Sequence, residues 1–330
     1  MTLLLSRSDV EGLLPMRSVI DAVEQAHADI SRGTALQPAP ANLSFRPDAA
    51  SFLPMAALAQ RQALAAVKIL ADVPDNRAMG LPPQRSVVVL VSQDTGECIA
   101  IIDGRMLTRQ RTAAASAVAS RHLARPDSTI LGLIGAGSLA EAHVEALAAV
   151  LPIREVLVWS RTAASMGTFV DRASERFPDL TIRAIEFPRD VVVNADVVCT
   201  LTPSKEPIIC GEWFAPGLHV NAVGAPPRPD HREIDSAGMG RARVFVDSMA
   251  TALHESGDLL LAIADGTITQ EQVVAELGDV ITGSSPGRTE PRDITLFNSV
   301  GIAMQDLAMG HLLVEAARRA GIGLDFDFAV

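Results

Sequence analysis

The chain has 330 residues, 48% of them hydrophobic and 20% charged, which suits two domains, or one large α/β domain with an added lobe, and excludes wholesale disorder. Its formal net charge of −11 argues against an extended nucleic-acid surface, because phosphate binding needs clustered positive charge to displace counterions. No apolar run reaches bilayer length, Met1 to Arg7 shows no basic-then-apolar leader, and Cys98, Cys199 and Cys210 lack disulfide or metal spacing; a cytoplasmic protein with no membrane, nucleic-acid or metal partner is expected.

Met16 to Ala28 sets Val19, Ile20, Val23 and Ala26 at helical intervals, and a helix is expected there. From Pro40 to Val91 short apolar runs are broken by proline and glycine. Ala65 to Leu70 and Ser86 to Val91 read as strands, and Gln93-Asp94-Thr95-Gly96 as a hairpin turn before Ile99 to Ile102, so this region is mostly antiparallel. Thr112 to Leu123 reads as an Ala-rich helix. After Arg125-Pro126-Asp127 strands and helices alternate. Strands are expected at Thr129 to Ile134, Glu155 to Trp159, Thr181 to Glu186, Val197 to Leu201, His219 to Val223 and Ala242 to Val246, with helices at Leu139 to Val150 and Ala163 to Phe177. That alternation indicates a parallel sheet covered on both faces. Ile302 to Ala320 returns to a helical pattern, and a helix so late can pack back on the first region.

The strand Thr129 to Ile134 runs directly into Gly135-Ala136-Gly137-Ser138-Leu139-Ala140 and then helix. This is the G-x-G-x-x-A form of the dinucleotide fingerprint in its required strand-to-helix context. Gly135 permits the tight turn, Gly137 lets backbone approach a pyrophosphate, and Ala140 keeps helix and strand close. Free N–H groups at the helix start then meet the phosphate charge. The next strand ends in Ser160-Arg161-Thr162, with Arg161 lying 21 residues beyond Ala140. An NAD enzyme places an acid here for the ribose hydroxyls. A guanidinium flanked by hydroxyls instead suits a 2′-phosphate, so NADP(H) is preferred and NAD(H) is the other candidate.

Two absences sharpen the chemistry. There is no tyrosine, so acid/base steps fall to other groups, and only Lys68 and Lys205 among the 28 basic residues are lysines. A lysine within Ala-Ala-Val-Lys68-Ile-Leu is an odd choice for a mere solvated charge in a chain that otherwise uses arginine.

Several stretches occur together and in order: Lys68-Ile-Leu-Ala-Asp-Val-Pro74-Asp-Asn76, Gly104-Arg-Met-Leu-Thr108-Arg-Gln-Arg111-Thr112-Ala-Ala-Ala-Ser116, Gly135-Ala-Gly137, Asn221-Ala-Val-Gly224 and Phe297-Asn-Ser299-Val-Gly301-Ile-Ala-Met-Gln-Asp306. With these motifs the chain resembles the ornithine cyclodeaminase/μ-crystallin family over almost its whole length. The resemblance implies a Rossmann doubly wound parallel sheet inserted into a mixed α+β substrate-binding and dimerisation lobe formed by both chain ends. The expected divisions are 1–112, 113–303 and a C-terminal helix at 304–330 returning to the first lobe. It implies a homodimer and activities such as ornithine cyclodeaminase, ketimine reductase and alanine dehydrogenase; some members bind hormone.

By the same resemblance Arg46, Lys68 and Arg111 form a clamp for the substrate's α-carboxylate. Burial beside two guanidinium groups should lower the Lys68 pKa and fit it for proton exchange with the substrate nitrogen. Thr112 at a helix start, Thr202 after a strand, Val223 and Ser299 are expected to join Gly135, Ala136, Gly137, Ser138, Leu139, Ser160, Arg161 and Thr162 in binding cofactor. Two departures matter. The acid near the family's early Met-Pro segment is missing from Ser51-Phe-Leu-Pro-Met55. Cyclodeaminases carry an aspartate shortly after Asn-Ala-Val-Gly, whereas this chain reads Gly224-Ala225-Pro226-Pro227-Arg228-Pro229-Asp230. Asp230 itself is expected to cap the following turn. The expected function is therefore an NAD(P)H-dependent oxidoreductase at the C–N bond of an imino or amino acid, the substrate being an imino, amino or keto acid. The alternatives are an ornithine cyclodeaminase that recycles NAD internally and a non-enzymatic NADP-dependent binder of a small ligand.

Overall fold

A computed structural model describes residues 1–46 and 49–328 of the chain. It divides into two compact units, Met1–Arg111 with Ile302–Val330, and Thr112–Gly301.

The first unit is built on a mixed sheet of seven strands in the order Leu324–Phe326, Thr2–Leu5, Cys98–Asp103, Gln84–Ser92, Leu64–Asp72, Ser51–Ala59 and Ala35–Leu36. Its neighbours pair antiparallel except Thr2–Leu5, which runs parallel to Cys98–Asp103. The strand Ser51–Ala59 is hidden in the sequence by Pro54, and the register explains how proline is tolerated there. Phe52 N–H points to the outer edge, donating to Leu43 O at 3.0 Å, so position 54, two residues on, would aim its missing N–H the same way. Ala35–Leu36 covers only Leu58 and Ala59 on that side, and no ladder bond is lost.

The two faces of this sheet differ in what covers them. Met55, Lys68 and Val88 lie side by side on one face. There the helix Ala303–Ala320 packs down and in turn meets the helix Met16–Ser31. Gly310 allows the close approach, since a Cβ on it would already stand 3.3 Å from Leu90. On the other face Phe52, Leu58, Val67 and Ile69 are exposed, Val67 by 41% and Ile69 by 47%. Val89 and Val87 sit opposite Val67 and Ile69 on that same face. Alternation would normally make such a face polar.

The second unit is an eight-stranded sheet, parallel throughout, in the order Val273–Glu276, Arg243–Val246, Thr295–Asn298, His219–Ala222, Val197–Thr200, Ile130–Ile134, Glu155–Trp159 and Thr181–Ala184. The order reverses at Ile130–Ile134, whose two neighbours come later in the chain on opposite sides; ligands bind at such switch points, beyond the carboxyl ends of the strands. Asp196 anchors the start of this strand, its Oδ2 accepting from the N–H groups of Thr129 at 2.8 Å and Ile130 at 3.1 Å. Thr295–Asn298 and Val273–Glu276 are strands that the sequence pattern does not single out. The Ala-rich helix runs over Gly104–Leu123, beginning well before Thr112. Asp103 Oδ1 accepts the Arg105 N–H at 3.0 Å and starts the helix there. Thr112 is thus a mid-helix residue whose N–H is not one of the free donors of a helix start. Among the described residues no helix is long and apolar enough to cross a membrane.

Candidate active site

In the first unit Lys68 stands in the middle of Leu64–Asp72, only 1% exposed. Its Nζ donates to Thr108 Oγ1 at 2.8 Å and to Asp306 Oδ1 at 3.0 Å. The same Asp306 oxygen accepts from Arg111 Nε at 3.3 Å, and Arg111 Nη1 donates to Gln305 Oε1 at 2.9 Å. Gln305 Nε2 lies 3.0 Å from His27 Nε2. Burial holds His27 down at about 4, so the ring is neutral at neutral pH. Since Gln305 offers its carbonyl to Arg111, its amide donates to the His27 lone pair, which assigns the His27 proton to Nδ1. The order His27, Gln305, Arg111, Asp306, Lys68, Thr108 is one continuous hydrogen-bonded chain.

Its electrostatics differ from the sequence expectation of a lysine between two guanidinium groups. Burial pulls Lys68 from the ordinary lysine value to about 8; Asp306 opposes that and Arg111 reinforces it. Two cations and one carboxylate leave a net charge of plus one, the complement of a single substrate carboxylate. The ammonium has three protons, and two are used. Asp306 Oδ2 is buried with no partner among the described residues. Arg46 is not part of the chain of bonds. It is exposed, in a curl closed by Ser44 Oγ donating to Arg46 O at 2.6 Å and by Ala49 N–H donating to the same oxygen at 3.1 Å, and no hydrogen bond links its side chain to Lys68 or Arg111 among the described residues. Thr108, Gln305, Asp306 and His27 were given no role by sequence; the only signal was that Thr108, Gln305 and Asp306 lie within motifs.

In the second unit the register lines up the cofactor candidates. Ile134 pairs with Thr200, Thr200 with Ala222 and Ala222 with Asn298. Gly135, Thr202, Val223 and Ser299 therefore follow their strands at one edge of the sheet, with Ser160, Arg161 and Thr162 beyond the adjacent Trp159. Gly135 takes φ +123° and donates to Trp159 O at 2.8 Å; a Cβ there would stand 3.0 Å from Leu201 O. Gly137 differs, because a Cβ on it would meet nothing within 4 Å. The glycine is not needed by the protein's own packing, and the space over it suits a phosphate. Ser138 and Gly137 are exposed, and the following helix Ala140–Ala148 has no side-chain cap on its free N–H groups, as a pyrophosphate site requires. Ala136 lines a small cavity with Ser165, Thr168 and Arg172 of the helix Ala163–Arg176. Thr162 caps that helix, accepting from Ser165 N–H at 3.3 Å, while Arg161 is exposed and makes no hydrogen bond or ion pair among the described residues.

Glu233 braces this edge, and sequence gave it no role. Buried completely, it accepts from Thr200 Oγ1 at 2.7 Å, Thr202 N–H at 2.6 Å, Thr202 Oγ1 at 2.7 Å and Gly224 N–H at 2.7 Å. Burial and Asp258 raise it to about 7, while the hydroxyls and N–H of Thr200 and Thr202 pull the other way. Thr202 thus faces the edge with its hydroxyl already committed to Glu233. Ser299 Oγ likewise donates to Asp247 Oδ2 at 3.1 Å, and Gly301 N–H to the same oxygen at 2.7 Å. Within this unit Thr112 is buried one turn before Ser116, which lies 3.1 Å from His143 Nε2. Asp230 does not cap the turn that follows it, since its carboxylate takes no backbone N–H among the described residues; the next helix is capped by Asp235, accepting from Gly238 N–H. Asp230 is exposed and pairs with Lys205 at 3.0 Å and His231 at 2.9 Å.

Residues 1–321 match the Ornithine cyclodeaminase/mu-crystallin family. The Delta(1)-pyrroline-2-carboxylate reductase of Thermococcus litoralis, solved with NADH and L-proline, superimposes with a TM-score of 0.94 at 34% identity, covering 98% of this chain and 100% of that one. An archaeal alanine dehydrogenase dimer with bound NAD gives a TM-score of 0.93 at 31% identity over 99% of both chains. The Delta(1)-pyrroline-2-carboxylate reductase of Bacillus cereus is 33% identical over 327 residues, 99% of this chain and 100% of that protein.

Two glycines at the nucleotide edge make opposite predictions. A Cβ on Gly224 would collide with the backbone of Thr202 and Leu201, so Gly224→Ala should destabilise the fold by about 1–3 kcal/mol in thermal unfolding. Gly137→Ala should leave the melting temperature unchanged and weaken dinucleotide binding about tenfold by calorimetry. Unchanged affinity would remove Gly137 from the phosphate cradle.

Proposed function

The chain belongs to the ornithine cyclodeaminase/mu-crystallin family, and within it we propose that this member reduces an α-imino acid, either a cyclic ketimine or the imine of a keto acid and an amine. The coarser class is an NAD(P)-dependent oxidoreductase acting at the C–N bond of amino or imino acids. The observation that carries the finer reading is the buried Lys68–Asp306–Arg111 cluster, in which a lysine near neutrality stands beside a fixed guanidinium.

The residues divide the work as follows. Arg111 holds the substrate carboxylate, with Nη2 making no hydrogen bond to the described residues, and Arg46 on its exposed turn is the third cation of the clamp. Lys68 donates a proton to the imine nitrogen, which makes the adjacent carbon more electrophilic. The backbone of Gly135 to Leu139 binds the pyrophosphate, and Thr112, Thr202, Val223 and Ser299 complete the cofactor set. The bound dinucleotide supplies the hydride. Asp230, the first acid after Asn221 to Gly224, is engaged with Lys205 and His231; this favours reduction over cyclodeamination, which needs a free base for the substrate amine.

For the cofactor we propose NADP(H). What supports it is Arg161 with its exposed guanidinium, Ser160 and Thr162 beside it, and no carboxylate at the position where NAD enzymes carry one. For assembly we propose a homodimer in which a second copy covers the apolar face of Phe52, Leu58, Val67 and Ile69. Ala65 to Ala71 is apolar on both faces except for Lys68, as in strands buried on both sides.

Following the absorbance of reduced cofactor with a panel of cyclic imines, and of keto acids with amines, tests the reaction. Oxidation is expected, and its rate should fall as pH rises through about 8, because the protonated form of Lys68 is the acid and its pKa lies there. Lys68→Ala should lower the rate about 100-fold or more with cofactor affinity retained; silence across the panel with ammonia released from ornithine would instead establish a cyclodeaminase. Arg161→Ala should weaken NADPH binding about tenfold and NADH binding far less, and equal losses would refute the NADP(H) preference. Ile69→Glu should convert a dimer to a monomer by light scattering; an unaltered mass would place the interface elsewhere.

A further inference from the structure

Asp306 delivers one oxygen to two cations at once. Its Oδ1 lies 3.0 Å from Lys68 Nζ and 3.3 Å from Arg111 Nε, in a cluster where Lys68 and Asp306 are each 1% exposed and Arg111 5%. An ammonium so placed has three reasons to move or to lose its proton: it is out of water, it is beside a guanidinium, and its stem is flexible. Asp306 opposes all three. Thr108, on the helix that carries Arg111, takes a second ammonium proton. That leaves the third N–H without an acceptor among the described residues.

We propose that Asp306 is the positioning residue for the acid, holding Lys68 charged and aimed so that its one unused N–H is presented to the imine nitrogen. The proposal rests on the reading of Lys68 as the proton donor. In the reductive step the Lys68 N–H bond breaks and an N–H bond forms on the substrate. The hydride from the reduced dinucleotide adds its electron pair to the carbon, and the C=N double bond becomes single. Lys68 is left as a neutral amine that regains a proton from water. Asp306 acts only through Lys68, which is why it fits a positioning role.

Among the described residues no further charged group hydrogen-bonds or pairs with Lys68. From the helix Gly104–Leu123 it faces Arg111 and Thr108, and from Ala303–Ala320 it faces Asp306. His27 of Met16–Ser31 reaches the cluster only through Gln305 and is neutral above about pH 4. The flanking strands contribute Met55 and Val88, which do not titrate, and the next acid on its own strand is Asp72, at the strand's end.

The scarcity of lysine makes a direct test available. With only Lys68 and Lys205 in the chain, the full-length protein labelled with ¹³C-lysine shows two ε-carbon resonances, and Lys205→Arg assigns them. The wild-type Lys68 midpoint is expected near 8. Asp306→Asn should lower it by about one pH unit or more, since a charge partner at contact distance is lost, and the alkaline limb of the reduction rate should move with it. An unchanged or raised Lys68 midpoint overturns the proposal whatever the activity. A lowered midpoint in a protein that reduces no imine supports the hold of Asp306 on Lys68 and retracts only the reading of Lys68 as the acid. If Asp306→Asn does not fold alone, the same change is made on Arg111→Gln, which restores the cluster's net charge. Arg111→Gln by itself should raise the midpoint, and adding Asp306→Asn should bring it down again. No fall on that background overturns the proposal equally.

Discussion

A single carboxylate oxygen between a buried ammonium and a buried guanidinium is the constraint on which the first unit depends. Lys68 lies on the covered face of the sheet, only 1% exposed, where an isolated charge is not stable. Arg111 alone would make matters worse, and Asp306 alone would be a buried carboxylate without a counter-ion. Together they are tolerable, and removing one member of such a group typically costs about 3–5 kcal/mol. Lys68 and Asp306 are 238 residues apart. The bond therefore ties the last long helix to the first sheet and closes the unit from both ends of the chain.

The outer members of the same chain of bonds set direction. With the Gln305 oxygen accepting from Arg111, its amide donates to Nε2 of the neutral His27, whose proton then sits on Nδ1. The guanidinium is thus fixed from two sides, by a carboxylate at Nε and an amide oxygen at Nη1. Fixing donors before a ligand arrives avoids ordering them at the moment of binding, which is how such groups contribute to orientation.

The second unit solves a different problem, that of keeping several strand ends level. Parallel strands in register bring Gly135, Thr202, Val223 and Ser299 to one edge, and buried acids hold the loops that leave it. Glu233 gathers two strand ends through Thr200, Thr202 and Gly224. Asp247 does the same for Ser299 and Gly301. Asp258 in turn accepts the N–H groups of Glu233 and Ile234 at 2.9 and 3.0 Å. Each carboxylate satisfies backbone donors that a loop turning inward would otherwise bury unpaired.

The strands and helices of the second unit were largely legible in the sequence because their signals are local. Glu155 to Trp159 forms a strand with the same limits in sequence and structure, and the turn at Gly135 follows from a glycine at positive φ between strand and helix. Lys68 stood out by the chain's own avoidance of lysine. What the sequence left undecided is what depends on distant partners. Ser51–Ala59 looked broken at Pro54 until the pairing showed its free edge, and Thr112 looked like a helix start until Asp103 was seen to cap the helix earlier. Asp306, Gln305 and His27 are ordinary helix residues by pattern, and Glu233 an ordinary acid after a proline-rich stretch. Periodicity and turn chemistry record which way a residue faces within its own element. Whether an acid is a solvated charge or the counter-ion of a buried lysine is decided by the packing of elements far apart in the chain, and only the tertiary structure contains that.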